Sequence, residues 1–378
     1  MRRPAAIVLL ALVAGCRPAD PAALTTPSLV SARVRDEALA SARVWRRPST
    51  PLARANFADN PAGPASFPAD MEVACRFTTE LPGGTTPKFY CALDSGEVVK
   101  VKYGRSNPEL AAEVAATRLL DALGFAVDRM YMTASVRCRG CPPFPFVALR
   151  CLARTGMKAA CLAGARPGRE VIFPGAVIER RLPGRRIQAR PDQGWTWFEL
   201  DRIDPSRGGS SRTEVDALRL IAVLLAHWDN KGSNQRLLCP GEQDRPDGGC
   251  ARPLLMVQDL GATFGPAKID LHNWRNVAIW EDRAACRVSM KTLPFAGATF
   301  PPHRISEEGR QFALSLLRPL TWEQLRMLFD RSGVARFDHL VGDAHDADAW
   351  VAAFMAKVDV IAEGPACAAA ADLTARGE

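Results

Sequence analysis

The stretches HWDNKGSN (227–234) and VQDLGATFG (257–265) decide how the rest of the chain reads. The first sets an acid, Asp229, five residues ahead of an amide, Asn234; the second sets Asp259 two residues ahead of Gly261. Asp229 follows TEVDALRLIAVLLAHW (213–228), where Val215, Leu218, Ile221, Ala222 and Leu225 recur at helical spacing. That pattern predicts a helix with one buried face, its start capped by Thr213 and Asp216. The polar loop then enters a short apolar strand, and PLLMVQDLG (253–261) predicts a second strand ending at Asp259. An acid that closes a buried strand at a glycine turn suits a hard divalent cation, which prefers oxygen ligands, and the Asn234 side-chain carbonyl supplies another oxygen. Asp229 stands where a side chain can orient or deprotonate a hydroxyl. Alone, each motif is ordinary, because an aspartate at a helix exit often caps the next turn.

Upstream, EVACRF (72–77) and KFYCAL (88–93) are strand-like runs around the Gly/Pro turn LPGGTTP (81–87), and EVVKVKYG (97–104) is a β-branched third run. PELAAEVAATRLLDAL (108–123) predicts a helix, with Asn107 able to cap, Pro108 suited to the first turn and Gly124 as the stop. FAVDRMYMTASVRC (125–138) reads as another strand. The result is a small, mainly antiparallel sheet lobe carrying one helix. Gly83 and Gly84 can present backbone N–H groups to phosphates, although most such turns only close a hairpin. Lys100 and Lys102 share one strand face by the two-residue period. Glu113 sits among Ala112, Ala115 and Ala116, a small apolar setting in which a carboxylate needs a cationic partner. A lysine of the preceding strand would supply it. Farther along, SEEGRQFALSLLRPL (306–320), TWEQLRMLFDRSG (321–333) and residues 343–375 predict helices, so a mainly helical lobe follows the sheet lobe.

Taken in order, a lysine strand, a glutamate helix, a D-x4-N loop and a D-x-G turn resemble the atypical, protein-kinase-like superfamily. The likeness is nearest to the secretory-pathway kinases of the Golgi casein-kinase type, with HipA-type and phosphatidylinositol kinases further off. AEVAATRLLDALGF (112–125) is similar to the glutamate-bearing helix of the secretory kinases, HWDNKGSN to their catalytic loop and VQDLGATFG to their metal-binding turn. The resemblance spans roughly residues 75–275. It implies an α+β, bilobal kinase-like fold that uses ATP with Mg2+ or Mn2+. Asp229 would take the catalytic acid's place, Asn234 and Asp259 would face the metal, and Lys100 or Lys102 would contact phosphate while held by Glu113. Which lysine is open: relatives with a Phe-Lys-Pro strand align Lys100, those with a Lys-x-Gly ending align Lys102. The acceptor, whether protein, lipid or sugar, is also open. Two other readings remain beside an ATP-dependent phosphotransferase: a non-catalytic nucleotide-binding or scaffold lipoprotein, and an enzyme that transfers AMP on the same fold.

The chain has 378 residues, 47% apolar and 24% charged, enough for a sizeable core, and a net charge of +8 that suits an anionic ligand or surface. No basic run is interleaved with aromatics, which argues against nucleic acid. Arg2 and Arg3 precede the apolar AAIVLLALVAG (5–15), too short to span a bilayer comfortably. Val13-Ala14-Gly15-Cys16 resembles a bacterial lipobox. It implies a signal peptide over 1–15, lipidation of Cys16 and a membrane-anchored protein of the bacterial envelope, with the outer membrane as the expected destination. Ten further cysteines favour disulfides, Cys75–Cys91 and Cys239–Cys250 being the simplest local pairs, with zinc an alternative for the C-x2-C group at Cys138 and Cys141. Residues 16–70, rich in Ala, Pro, Ser and Arg, read as a mostly disordered tether. The sheet lobe is expected over 71–180, with a cysteine-rich insertion at 137–170, and the helical lobe over 181–378.

Overall fold

The computed structural model describes residues 27–191, 193–241, 245–266, 268–290, 299–337 and 340–375. Cys16 and the apolar segment before it lie outside the described residues. Among those residues no helix is long and apolar enough to cross a membrane.

The chain begins with strand β1 (Pro27–Leu29) and helix α1 (Ala32–Ala40). Strands β2 (Glu72–Phe77), β3 (Lys88–Leu93) and β4 (Val98–Lys102) precede helix α2 (Glu109–Leu123). There follow β5 (Arg129–Met132), β6 (Ser135–Arg139), helices α3 (Pro145–Thr155) and α4 (Lys158–Cys161), β7 (Glu170–Pro174) and β8 (Val177–Arg180). Strands β2 to β8 form one seven-stranded sheet in the order β5-β8-β4-β3-β2-β6-β7. All its pairings are antiparallel except β2 with β6. The parallel pair corrects the single strand expected over 125–138. The chain breaks at Thr133–Ala134, sending β5 to one edge and β6 to the far side of β2, and the Ala134 N–H bonds the Met71 carbonyl at 3.0 Å.

Helix α2 is wrapped on every side: twelve of its 15 residues are buried. It ends at Gly124, whose φ of +93° is left-handed and where a Cβ would meet the Arg46 carbonyl at 2.2 Å, so both conformation and space demand glycine.

The second lobe contains β9 (Arg185–Gln188), α5 (Arg212–Leu224), β10 (Gln235–Cys239), β11 (Leu254–Val257) and α6 (Leu271–Asn276). A two-stranded ribbon, β12 (Arg287–Val288) with β13 (His303–Arg304), leads to α7 (Glu307–Leu317), α8 (Trp322–Ser332), α9 (Ala347–Ala362) and α10 (Ala370–Ala375). A four-stranded sheet, ordered β1-β9-β10-β11, lies within this lobe. Phe264, Trp274, Phe329 and Trp350 form its aromatic centre, with ring centroids 5.1–6.2 Å apart. Ser211, not Thr213, caps α5, in a reciprocal capping box with Glu214. Asp216 is instead fully buried, bonded to Arg212 and to the Ser306 N–H.

The ten cysteines form five disulfides: Cys75–Cys91, Cys138–Cys141, Cys151–Cys161, Cys239–Cys250 and Cys286–Cys367. This suits an oxidising compartment and removes the zinc alternative. The Cys75, Cys91 and Cys138 sulfurs lie within 4.8 Å of one another, but all three are spent in disulfides and cannot act as thiolates.

Residues 27–70 correct the expectation of a tether. Val34 is buried, and Leu39, Val44 and Phe57 are buried in the main core. Trp45 donates to the Leu123 carbonyl at 2.7 Å, and Gln324 of α8 donates to the carbonyls of Leu52 and Ala55. Asn60 both donates to and accepts from the backbone of Met132. Composition misled here because single large apolar residues, well spaced, carry the docking, and the segment borrows its core from α2, α8 and β5. Leu39→Ala is therefore expected to cost about 2–5 kcal/mol. A urea titration measures it, and an unchanged midpoint would restore the tether.

Candidate active site

The polar cleft is built on one face of the large sheet. Along β3 and β4 the register sets Lys88 opposite Lys102 and Tyr90 opposite Lys100, and β8 sets Glu179 opposite Lys100. Period-two alternation sends all five side chains to the same side. Helix α2 crosses that face and brings Glu113 to Lys102, which bonds both its carboxylate oxygens. Lys102 also lies 2.9 Å from Glu179 Oε2, and Lys100 bonds Glu179 Oε1. Two ammonium and two carboxylate groups thus alternate in a buried chain: Lys100, Glu179, Lys102, Glu113. Of the two candidate lysines, Glu113 takes Lys102 and Glu179 takes Lys100, and both line the cleft.

Glu179 was not singled out in the sequence. The signal was there, an acid inside the apolar run AVIER (176–180), but its partners lie nearly 80 residues earlier. Lys88 was missed as well.

The other wall comes from β10 and β11. Asn234, just before β10, donates its amide to the Asp229 carbonyl at 2.9 Å, leaving its side-chain oxygen for the cleft. Asp259 lies two residues past the end of β11 with a φ of +59°, a left-handed backbone that aspartate tolerates better than most residues. Among the described residues its carboxylate has no hydrogen-bond or ion-pair partner. Gly261 lets this turn sit against α2, since a Cβ there would meet Glu109 Cβ at 2.7 Å. Gly83, Gly84, Lys88, Lys100, Lys102, Glu113, Asn234 and Asp259 all line one cleft of about 270 Å³. Asp229 does not line it; it lies one hydrogen bond behind, through Asn234, with its carboxylate paired to Lys231 at 2.6 Å. His227 is completely buried, and burial pushes it down to about 4 against the pull of Asp259 and Asp229, so the imidazole is neutral at pH 7 beneath both acids.

An unpartnered carboxylate and a free amide oxygen are hard donors that fit a divalent ion such as Mg2+ or Mn2+. The lysines opposite fit phosphate oxygens.

No protein-family model matches the chain, and none of the curated proteins matches it. Among solved structures, the proinflammatory kinase CtkA of Helicobacter pylori superposes with a TM-score of 0.43 and 10% identity, over 77% of this chain and 96% of that one. The functional reading rests on the side chains of the cleft and not on that likeness.

The buried chain of charges sets a pH dependence. Burial, with Glu179 and Asp259 nearby, pushes Glu113 up to about 7 from 4.5, against the pull of Lys102. Glu179, flanked by both lysines, is held well below the usual carboxylate range. In the window from 4.5 to 7 the folded protein keeps a proton on Glu113 that the unfolded chain has released. Stability therefore falls as pH rises through it. Relative to Glu113→Gln, which cannot titrate, the wild type is expected to lose stability, on the order of 2 kcal/mol, between about pH 5 and about pH 8. Urea midpoints of both proteins measure this, and a difference independent of pH would refute the assignment.

Proposed function

We propose that the protein is an exported, lipid-anchored, ATP-dependent phosphotransferase of the kinase-like type. One observation carries the reading. A buried lysine–glutamate pair on the sheet faces an unpartnered aspartate and a free amide oxygen across a single cleft. Phosphoryl transfer asks a protein mainly for positioning and for neutralising charge, and these are the groups it uses. Lys102, fixed by Glu113 and Glu179, presents its ammonium to the donor's phosphates, and Lys100 extends that positive edge. Gly83 and Gly84 line the same cleft at the β2–β3 turn. Asn234 and Asp259 would hold the divalent ion, which when bound would neutralise phosphate oxygens and fix their direction.

Asp229 acts on the acceptor. Its carboxylate takes the proton of the attacking hydroxyl as the new oxygen–phosphorus bond forms and the terminal bridging P–O bond breaks, leaving the nucleoside diphosphate. Lys231, paired to that carboxylate, adds a cation near the transferred group. The acceptor is a protein, lipid or sugar hydroxyl at a membrane surface. Five disulfides support an extracytoplasmic location, and the lipobox-like Cys16 supports the anchor.

Asp259→Ala is expected to cut turnover of terminally labelled ATP by at least about 100-fold, the scale of losing one pre-organised charge contact. Asp259→Asn, which keeps a residue suited to that left-handed backbone, should lose turnover likewise while its unfolding midpoint stays near that of the wild type. Equal background label in wild type and variants would remove catalysis and leave a binding protein, while an acceptor gaining the mass of AMP would assign the other transfer.

A further inference from the structure

Pockets that read a nucleobase offer apolar faces for the ring and a few fixed polar groups for its edge. The cleft described above offers the reverse. Among the described residues its lining contains no aliphatic side chain. Its one aromatic ring, Tyr90, is already covered: the Arg181 guanidinium lies 5.3 Å from the ring centroid and donates to the Tyr90 hydroxyl at 3.0 Å. What fills the space is cationic, with Lys88, Lys100, Lys102, Arg181, Arg186 and Arg236 in one lining.

Lys100 and Lys102 are answered by Glu179 and Glu113. Arg236 rests on the carbonyls of Ser233 and Gln235, with no acid paired to it among the described residues. Among the described residues Lys88 and Arg186 have no hydrogen-bonded or ion-paired partner. The cations also press on one another. Burial and then Lys102 lower Lys88, burial and then Arg181 lower Arg186, and burial and then Arg186 bring Arg236 down to about 10. Such an arrangement is unfavourable until an anion with several charges enters it. A guanidinium can also stack on a base, but it does so without telling one base from another.

We propose that this cleft recognises its phosphoryl donor by the phosphate chain alone and not by the base. Its ligand class is then a chain of three or more phosphates, whether a nucleoside triphosphate of any base or inorganic tripolyphosphate. This rests on the phosphotransfer reading above and narrows it. The transfer balances for either donor. The acceptor oxygen bonds the terminal phosphorus, the terminal bridging P–O bond breaks, and a nucleoside diphosphate or pyrophosphate leaves while the hydroxyl proton passes to Asp229. One group could still read a base. Gln258 commits its amide nitrogen to Asp128 at 2.6 Å, which leaves its carbonyl as a lone buried acceptor in the lining.

The test is calorimetric titration of the full chain with ATP, GTP, inorganic tripolyphosphate and adenosine, each with Mg2+. The expected result is affinities for the first three within about fivefold of one another and no detectable binding of adenosine. Arg186→Ala and Arg236→Ala should each weaken all three phosphate ligands by the same factor, about tenfold, with unchanged unfolding midpoints. ATP binding more than about 20-fold tighter than both GTP and tripolyphosphate would overturn the proposal while leaving the phosphotransferase standing, and Gln258→Ala abolishing that preference would name the reader. Failure of all three phosphate ligands to bind would overturn both.

Discussion

The contact on which the rest depends is the pairing of Lys102 with Glu113 where helix α2 crosses the large sheet. Both groups are nearly inaccessible to solvent. Two isolated charges at that depth would cost several kcal/mol each, and removing one partner from such a pair is far worse than never having built it. The chain Lys100–Glu179–Lys102–Glu113 meets this cost by alternating sign, so that every charge touches an opposite one. The pair also fixes a register. A one-residue slip of β4 would turn both lysines to the other face of the sheet, away from α2 and from β8. An apolar substitute would hold α2 as firmly, but would leave no ammonium at the wall of the cleft. The placement of positive charge and the placement of the helix are therefore one constraint.

Around that contact the molecule is braced from outside. Residues 27–70 cross from the small sheet of the second lobe, where Val30 bonds Gln188, past the end of α2 to β5 and α8. Arg35, almost completely buried, is held by Glu199 and by the Gly194 carbonyl. The segment thus clasps both lobes, and α2 cannot shift without disturbing it.

Much of this was legible in the sequence, and for definite reasons. Helices α5, α7, α8 and α9 declare themselves because each hides one face, and burial at a 3.6-residue period is a local pattern. The same holds for Lys100 and Lys102, which share a face by alternation, and for Cys75–Cys91 and Cys239–Cys250, which close short loops. The illegible parts are those fixed at long range. Whether Glu113 takes Lys100 or Lys102 depends on where α2 crosses β4, and no local period encodes a crossing. Glu179 looks like any strand glutamate until β8 is laid beside β4. The β2–β6 pairing joins parallel strands across four intervening elements, so FAVDRMYMTASVRC gives no sign that it divides. Residues 27–70 hide little apolar surface of their own and are ordered by what they lean on.

The Cys286–Cys367 bridge differs from the other four in reach. It joins residues 81 apart, whereas the rest close separations of 3 to 16. On loop-entropy grounds a ring of that size removes about 4–5 kcal/mol of freedom from the unfolded chain, more than any short one. Helices α7, α8 and α9 all lie within it. Should a protease nick the backbone anywhere between those two cysteines, both fragments would stay covalently joined, and the bundle would have the means to close again around the break.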